Sequence, residues 1–127
     1  MDQSQQHDWL ADVGEKYVAY LFSRDKRFEV FGSGKWDADC VLHDKKLNKW
    51  IRIEVKSSDS KKSFSEVRGP AKRRVLTQVG KFEALFFVSI QNYAVNIEVY
   101  KVKNKKIDKN NLLKNPTLKD LIKFITK

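Results

Sequence analysis

The sequence of 127 residues is poor in the residues that form disulfide bonds and structural metal sites: it has one cysteine and two histidines. One cysteine excludes a disulfide framework, and so few Cys and His side chains argue against a structural zinc site. No apolar run approaches the roughly 20 residues that a membrane helix needs, and the polar N-terminus MDQSQQHDW lacks the pattern of a signal peptide. We therefore expect a soluble, cytoplasmic protein of one domain, without a membrane partner.

Positive charge, in contrast, is in excess and is unevenly distributed. The chain has 26 Lys and Arg against 16 Asp and Glu, a net charge of +10. Residues 1–55 carry 9 basic and 10 acidic side chains, whereas residues 56–81 carry 8 and 2, and residues 101–127 carry 9 and 2. Two basic blocks on a small domain suit a polyanion such as nucleic acid, and a lysine-rich solvated surface is the alternative. The ten carboxylates of residues 1–55 need a separate explanation.

Hydrophobic periodicity predicts helices that alternate with strands. Helices are expected at residues 5–23, 70–79 and beyond 115, and strands at 28–31, 36–43, 50–56, 84–90 and 93–102. This order predicts an α/β or α+β fold. The main domain is expected over residues 1–103, followed over 104–127 by a basic linker and an amphipathic helix that packs on or beside it. In the first helix an apolar stripe is expected to face the core, formed by Leu10, Val13, Tyr17 and Leu21. It is widened on one side by Ala11, Val18 and Phe22.

The candidate chemistry lies in the hairpin WDADCVLHDKKLNKWIRIEVK. Successive side chains of a strand alternate, so Arg52, Glu54 and Lys56 share one polar face. Keeping the apolar faces of the two strands together gives a register that pairs Asp39 with Glu54 and Asp37 with Lys56. Carboxylates about 5 Å apart across two strands repel each other unless a cation lies between them. Either basic side chain of that face, or a divalent metal ion, could supply this cation.

Magnesium suits such a pair because it prefers oxygen ligands and is held by one or two carboxylates together with water and substrate phosphate. Lys56, one strand step beyond Glu54, would lie beside that metal, where it could stabilise developing charge or lower the pKa of an attacking water. Glu15, on the flank of the first helix, could reach the edge of the sheet. The pattern therefore fits metal-dependent phosphodiester hydrolysis, and a solvated strand face is the alternative for Glu54-Val55-Lys56.

With these residues identified, the chain resembles the PD-(D/E)XK nuclease superfamily. That family combines a helix that carries a Glu, a strand with an Asp, and (D/E)-x-K on the next strand; the matching positions are Glu15, Asp39, Glu54 and Lys56. Within the superfamily the chain is most similar to archaeal-type Holliday junction resolvases, through G-E in the helix, the loop GSGKWDAD and the strand RIEVKS. The resemblance covers about residues 10–102.

The resemblance implies a restriction-endonuclease-like mixed central sheet flanked by helices, and a Mg²⁺-dependent endodeoxyribonuclease in which Mn²⁺ can substitute. Asp39, Glu54 and the main-chain carbonyl of Val55 would hold the metal. Lys56 would orient or activate water, and Glu15 would assist at the second metal or water shell. The implied substrate is branched DNA such as a Holliday junction, cleaved by a homodimer in DNA recombination and repair.

The resemblance also points to Ser33, which matches a loop serine that junction resolvases use in catalysis. Basic side chains near the candidate site are expected to contact DNA, with plain solvation as the alternative. They are Lys35, Lys61, Lys62, Arg68, Lys72, Arg73 and Arg74.

Several assignments have rivals. Asp37 shares a face with the predicted Asp ligand and competes with it. His43 is either a general base or a strand-end residue, and Cys40 is expected in the core. Trp36 and Trp50 either pack at the hairpin or stack on bases. The alternative functions are a restriction- or repair-type duplex endonuclease, an RNase, and a non-catalytic nucleic-acid-binding module.

Overall fold

A computed structural model describes residues 3–32 and 34–127, which form three helices and one six-stranded mixed sheet. The helices are α1 (Gln3–Ser23), α2 (Pro70–Thr77) and α3 (Leu118–Ile125). The strands are β1 (Phe28–Phe31), β2 (Cys40–Asp44), β3 (Lys49–Ser58), β4 (Ala84–Gln91), β5 (Ala94–Lys103) and β6 (Lys106–Lys114). The predicted α+β class, a mixed sheet flanked by helices, is confirmed. None of the helices described is long and apolar enough to cross a membrane.

The sheet follows chain order from β1 to β6. Neighbouring strands are antiparallel except for β3 and β4, which pair in parallel at the centre. A parallel pair needs a crossover connection, and the segment that contains α2 supplies it. Because β4 lies between β3 and β5 with helices on both sides, its apolar run ALFFV is buried on both faces.

Alternation along the central strands divides the core into two layers. Ile53 and Phe86 belong to the layer that α1 and α3 cover. Leu85 and Phe87 point the other way and pack with Phe64, from a short 3₁₀ turn, and with α2. The two faces of β3 are therefore distinguishable by residue parity, and its even-numbered side chains lie on the α2 side.

Helix α1 buries one side of the predicted apolar arc more deeply than its predicted centre. Val18 and Phe22 are fully buried, whereas Val13, predicted to face the core, is 51% exposed. The row that meets the sheet has a spacing of four residues and begins at Gly14, which is buried. A glycine contributes no apolar side chain to a periodicity count, so the sequence pattern was centred one residue too early.

The predicted start of β2 is also wrong. The ladder begins at Cys40 rather than at residue 36, because Trp36 and Asp37 lie in a 3₁₀ turn. Both have left-handed backbone conformations, with φ of 54° and 57°, which a strand does not accommodate.

The predicted linker after residue 103 is a strand. Asn104 and Lys105 form a tight turn with positive φ, and β6 then pairs with β5 along the edge of the sheet. Its sequence KIDKNNLLK alternates poorly because an exposed edge strand carries charged side chains. Helix α3 follows and buries Leu121 and Ile125 in the same layer as α1.

Gly14 allows α1 to approach β3 closely. A Cβ atom at this position would lie 1.8 Å from Ser57 Oγ, 3.1 Å from Ser57 Cβ and 3.6 Å from Val55 Cγ1. The Ser57 hydroxyl is buried there, without a hydrogen-bond partner among the described residues. The contact fixes the height of the helix above the strand, and Glu15 is the next residue along α1.

Gly14→Ala is expected to destabilise the protein by about 1–3 kcal/mol, because the added methyl group overpacks the contact with β3. The sign of this stability change tests the contact, since Gly→Ala inside a helix otherwise stabilises a protein by roughly 0.5–1 kcal/mol. Urea unfolding followed by circular dichroism measures the change.

Gly80→Ala is the matched control, because nothing lies within 4 Å of its added methyl group. Ser57→Ala in the Gly14→Ala background removes the atom at 1.8 Å and is expected to recover part of the loss. A Gly14→Ala variant as stable as wild type would contradict the close contact.

Candidate active site

The candidate site begins where β2 and β3 separate. Their ladder ends at the pair Cys40 and Ile53, while β3 continues along β4 as far as Ser58. Asp39 occupies the edge that β2 leaves open, and its Oδ2 accepts a hydrogen bond of 2.8 Å from the Val55 N–H. Because this donor belongs to the main chain of the central sheet, the carboxylate is held in a defined position.

The ladder has the predicted register, with Val41 opposite Arg52. It places Asp39 one step beyond the last pair, opposite Glu54. The predicted pairing of Asp37 with Lys56 is wrong, since Asp37 lies exposed in the 3₁₀ turn before β2. The structure therefore brings Asp39, and not its rival, to the β3 carboxylate.

Three carboxyl groups meet at this edge: Glu15, Asp39 and Glu54, here called the carboxylate cluster. Asp39 lies within hydrogen-bonding range of the other two. Glu15 reaches the edge from α1, on one side of the sheet. Glu54 lies on the α2 side, beside Leu85 of the parallel ladder. Residues that are far apart in the sequence, and that were predicted together, are thus close in the structure.

Burial and mutual repulsion disfavour charge in this cluster. Desolvation, together with the hydrogen bond and charge of Asp39, raises the pKa of Glu54 to about 8. The same causes, with a smaller contribution from Asp12, raise the pKa of Glu15 to about 7. At neutral pH and without a cation, Glu15 and Glu54 therefore retain part of their protons.

Nearby basic side chains do not neutralise the cluster. Arg52, considered from the sequence as a neutralising cation, is bound to Glu83 by three side-chain hydrogen bonds of 2.6–3.1 Å. Within the described residues, none of the three carboxylates forms an ion pair with a Lys or Arg. Lys56 is half-buried on the same strand face as Glu54 and is the remaining basic side chain of that face.

The donor chemistry fits a hard divalent cation such as Mg²⁺. Asp39, Glu54 and the carbonyl of Val55 all offer oxygen, and a cation would displace the proton that the raised pKa of Glu54 retains. In the described part of the chain, no three or more His, Cys, Asp or Glu side chains form a group that could hold a metal ion. The predicted ligand set is smaller, namely Asp39, Glu54 and the carbonyl of Val55, and it leaves the other positions to water and phosphate.

A groove of about 440 Å³ lies at the C-terminal end of β3. It is lined by Ala11 of α1, by Lys56 and Ser58 of β3, and by Ala71 of α2, among others. Its size is in the range of ligand clefts. Since Lys56 lines the groove and follows Glu54 on the strand, a phosphodiester lying in the groove would be close to the carboxylate cluster.

Two of the predicted DNA contacts also hold the fold. Lys72 Nζ donates to the carbonyl oxygens of Phe64 and Ser65 at 2.8 and 3.2 Å, and burial lowers the pKa of this ammonium group. Arg68 donates to the carbonyls of Ser65 and Val67 at 2.9 and 3.3 Å. Both side chains therefore fix the 3₁₀ turn at Phe64–Glu66, a role that the charge pattern did not indicate.

Most of the other basic side chains predicted to contact DNA are exposed to solvent. Lys61, Lys62, Arg73 and Arg74 are exposed, on the segment after β3 and on α2. Lys35 lies over aromatic rings near the start of β2. Ser33, the predicted catalytic serine, lies outside the described residues.

The remaining candidates have structural partners. His43 contacts Glu29 and Asn48 at 3.0 Å each, and these hydrogen bonds raise the pKa of its imidazole. It lies on β2 near the hairpin turn rather than in the carboxylate cluster. Cys40 is fully buried, and desolvation raises the pKa of its thiol to about 12, so it is a core residue rather than a nucleophile.

In comparisons with known proteins, no family model, no curated protein and no solved structure matches this chain. The nuclease resemblance therefore stays a prediction from short motifs. What the structure adds is the geometry of the residues that carry those motifs.

The free energy of unfolding, measured in EDTA, is expected to fall as the pH rises from about 5 to about 8. Glu54 has a pKa of about 8 in the folded protein against an ordinary value of 4.5. Between these values the folded state binds more protons than the unfolded state, so deprotonation favours unfolding. Glu54→Gln cannot ionise and is expected to lose less stability over this range, as measured by urea unfolding at several pH values.

Asp120→Asn serves as the control, because Asp120 is an exposed carboxylate at the start of α3. It should retain the wild-type pH dependence. An equal or steeper pH dependence in Glu54→Gln would show that Glu54 is not the group responsible.

Proposed function

We propose that the chain is a metal-dependent endonuclease that hydrolyses DNA phosphodiesters. The observation that carries this proposal is the carboxylate cluster, with Lys56 on the same strand face as Glu54. Half-buried carboxylates whose pKa values are raised by desolvation and by each other destabilise a fold unless protons or a cation compensate them. An arrangement of this kind is more typical of catalytic and metal sites than of structural ones.

Each residue has a role that follows from its position. Asp39 and Glu54, with the Val55 carbonyl, would hold Mg²⁺, and Mn²⁺ has the same preference for oxygen ligands. The bound metal would supply a Lewis acid and an activated water. The Lys56 ammonium group is placed to stabilise negative charge that develops on the phosphate oxygens. Glu15, beside Asp39 at the same edge, would accept the proton of that water.

The charge distribution supports a nucleic-acid substrate. Four exposed basic side chains follow the site in the chain: Lys61, Lys62, Arg73 and Arg74. Backbone phosphates, which supply most of the affinity in protein–nucleic acid complexes, would be neutralised by such residues. Phosphate attraction and metal ligation are thus performed by different residues of one domain.

We further propose branched DNA, such as a four-way junction, as the substrate, with a homodimer that places two sites on it. This part rests on the similarity of the motifs G-E, GSGKWDAD and RIEVKS to those of junction resolvases. A restriction- or repair-type duplex endonuclease would use the same cluster, and the substrate test below separates the two.

Purified protein is expected to cleave a labelled four-way junction in Mg²⁺ and not in EDTA, with paired, two-fold-symmetric nicks. Asp39→Asn and Glu54→Gln are each expected to lower the cleavage rate by about 100-fold or more, since each removes a ligand charge. Asn is preferred to Ala at position 39, because its amide oxygen can still accept the Val55 N–H. Flap and linear duplex DNA are assayed in parallel, and denaturing gels measure the products.

Asp120→Asn is the matched control and should cleave at the wild-type rate. Circular dichroism and gel filtration confirm that each variant is folded. Unchanged cleavage in both Asp39→Asn and Glu54→Gln would exclude the proposed site. Equal cleavage of linear duplex and junction would retain the nuclease and exclude selectivity for branched DNA.

A non-catalytic nucleic-acid-binding module is the second candidate, favoured by the net charge of +10. It predicts binding that weakens steeply with salt, no dependence on Mg²⁺ and no effect of Glu54→Gln on affinity. Binding without cleavage of any DNA or RNA substrate in Mg²⁺ or Mn²⁺ would select this candidate.

A further inference from the structure

A second group of side chains lies on β1, β2, β3 and the 3₁₀ turn at Lys35–Asp37, apart from the carboxylate cluster. The rings of Phe31, Trp36, His43 and Trp50, with the ammonium group of Lys35, are here called the aromatic platform. Trp50 contacts three of its neighbours: its ring centroid lies 4.9 Å from that of Trp36, 5.7 Å from that of Phe31 and 4.3 Å from that of His43. Trp36 is 52% exposed and Trp50 39% exposed. Large aromatic rings are thus grouped at the surface rather than buried.

The backbone presents Trp36 in an unusual way. Trp36 and Asp37 are consecutive residues with φ of 54° and 57°, and Gly34 before them has φ of 99°. A bulky residue in the left-handed region is a steric outlier, and such outliers cluster at binding and catalytic sites. The turn holds the Trp36 ring edge-to-face against Trp50, at an interplanar angle of 63°, and Trp36 remains the more exposed of the two rings.

The platform carries positive charge among its rings. Lys35 Nζ lies 4.4 Å from the centroid of Phe31, 5.0 Å from that of Trp36 and 5.5 Å from that of Trp50. Three further lysines, Lys45, Lys46 and Lys49, are exposed at the adjoining hairpin turn. Of the acidic neighbours, Glu29 is paired with His43, and Asp37, exposed beside Trp36, is outnumbered by these four lysines. A ligand that offers both a flat apolar face and a negative charge suits this combination.

The platform lies on the same face of the sheet as Glu54. Trp50, Arg52 and Glu54 are at alternating positions of β3, so their side chains point to one side. Phe31 is in line with Arg52 across β2, and His43 is paired with Trp50. From Trp50 to Glu54 the strand rises by about 13 Å. A chain that crosses this face can reach both the platform and the carboxylate cluster.

We infer that the aromatic platform binds an unpaired nucleobase of the DNA that is cleaved at the carboxylate cluster. This inference rests on the proposed nuclease function. Paired bases inside a duplex are stacked on each other and cannot offer a ring face, whereas an unpaired base can stack on an exposed Trp while Lys35 contacts its phosphate. The platform would thereby favour substrates with single-stranded or frayed segments next to the cleaved bond.

Binding is tested without catalysis, in EDTA, by fluorescence anisotropy of a labelled oligothymidylate and of a duplex of the same length. Trp36→Ala is expected to weaken binding of the oligothymidylate by about tenfold, the effect of one lost base–aromatic stack. It should leave duplex affinity within about twofold, because phosphate contacts dominate there. Trp36→Phe, which retains a ring, is expected to keep most of the affinity.

Trp9→Ala is the matched control, since Trp9 is similarly exposed at 58% but lies on α1; it should leave both affinities unchanged. Equal weakening of both DNAs by Trp36→Ala, or no weakening of the oligothymidylate, would overturn the inference. Loss of a dimer in Trp36→Ala, seen by sedimentation, would also overturn it and assign the platform to an interface between copies.

The result is independent of the cleavage assay. A protein that cleaves but binds the oligothymidylate equally well without Trp36 refutes the platform alone. A protein that does not cleave, yet shows the Trp36-dependent preference for single strands, refutes the nuclease and retains the platform as a binding site.

Discussion

Strand β3 is paired over different lengths with its two neighbours. Where β2 has ended, the hydrogen bond from the Val55 N–H to Asp39 replaces a ladder hydrogen bond. β2 accompanies β3 only as far as Ile53, while β4 continues to Ser58. The unpaired edge would otherwise leave main-chain donors without partners. A carboxylate that satisfies such a donor is fixed in place by the sheet itself, and the positions of Glu15 and Glu54 around it follow. The feature that completes the sheet is therefore the same one that organises the candidate site.

Assembly of the cluster opposes stability, so other contacts must hold the elements together. Carboxylates with pKa values of about 7 and 8 repel each other when they ionise. The approach of α1 is maintained by apolar packing of Val18 and Phe22 against the central strands, and Gly14 permits it sterically. Repulsion at Glu15, near the middle of the helix, is thus balanced by the burial of apolar side chains in the turns that follow it. This division is typical of sites where function and stability make opposite demands on the same element.

The sequence predicts the structure correctly where a single physical rule determines the local conformation. The alternation of RIEVK predicted β3 and the face of Glu54, and the need to keep apolar faces together predicted the β2–β3 register. It is misleading where several conformations compete: the pattern predicts a strand at Trp36, because nothing local in the sequence indicates a left-handed turn. It also failed where glycine forms the contact, as at Gly14, and where an edge strand is polar, as in β6. The partnership of Arg52 with Glu83, 31 positions away, depends on the parallel pairing of β3 with β4, which no local pattern reveals.

The length of β3 has a consequence for how this protein can change in evolution. Its first half belongs to a hairpin and its second half to the parallel centre of the sheet, so one rigid strand sets the distance between Trp50 and Glu54. The turn at residues 45–48 can gain or lose residues without altering that distance. A single insertion between Trp50 and Glu54 would instead send one of them to the opposite face. Variation in length is therefore tolerated at the turn, while along the strand only side chains are free to vary.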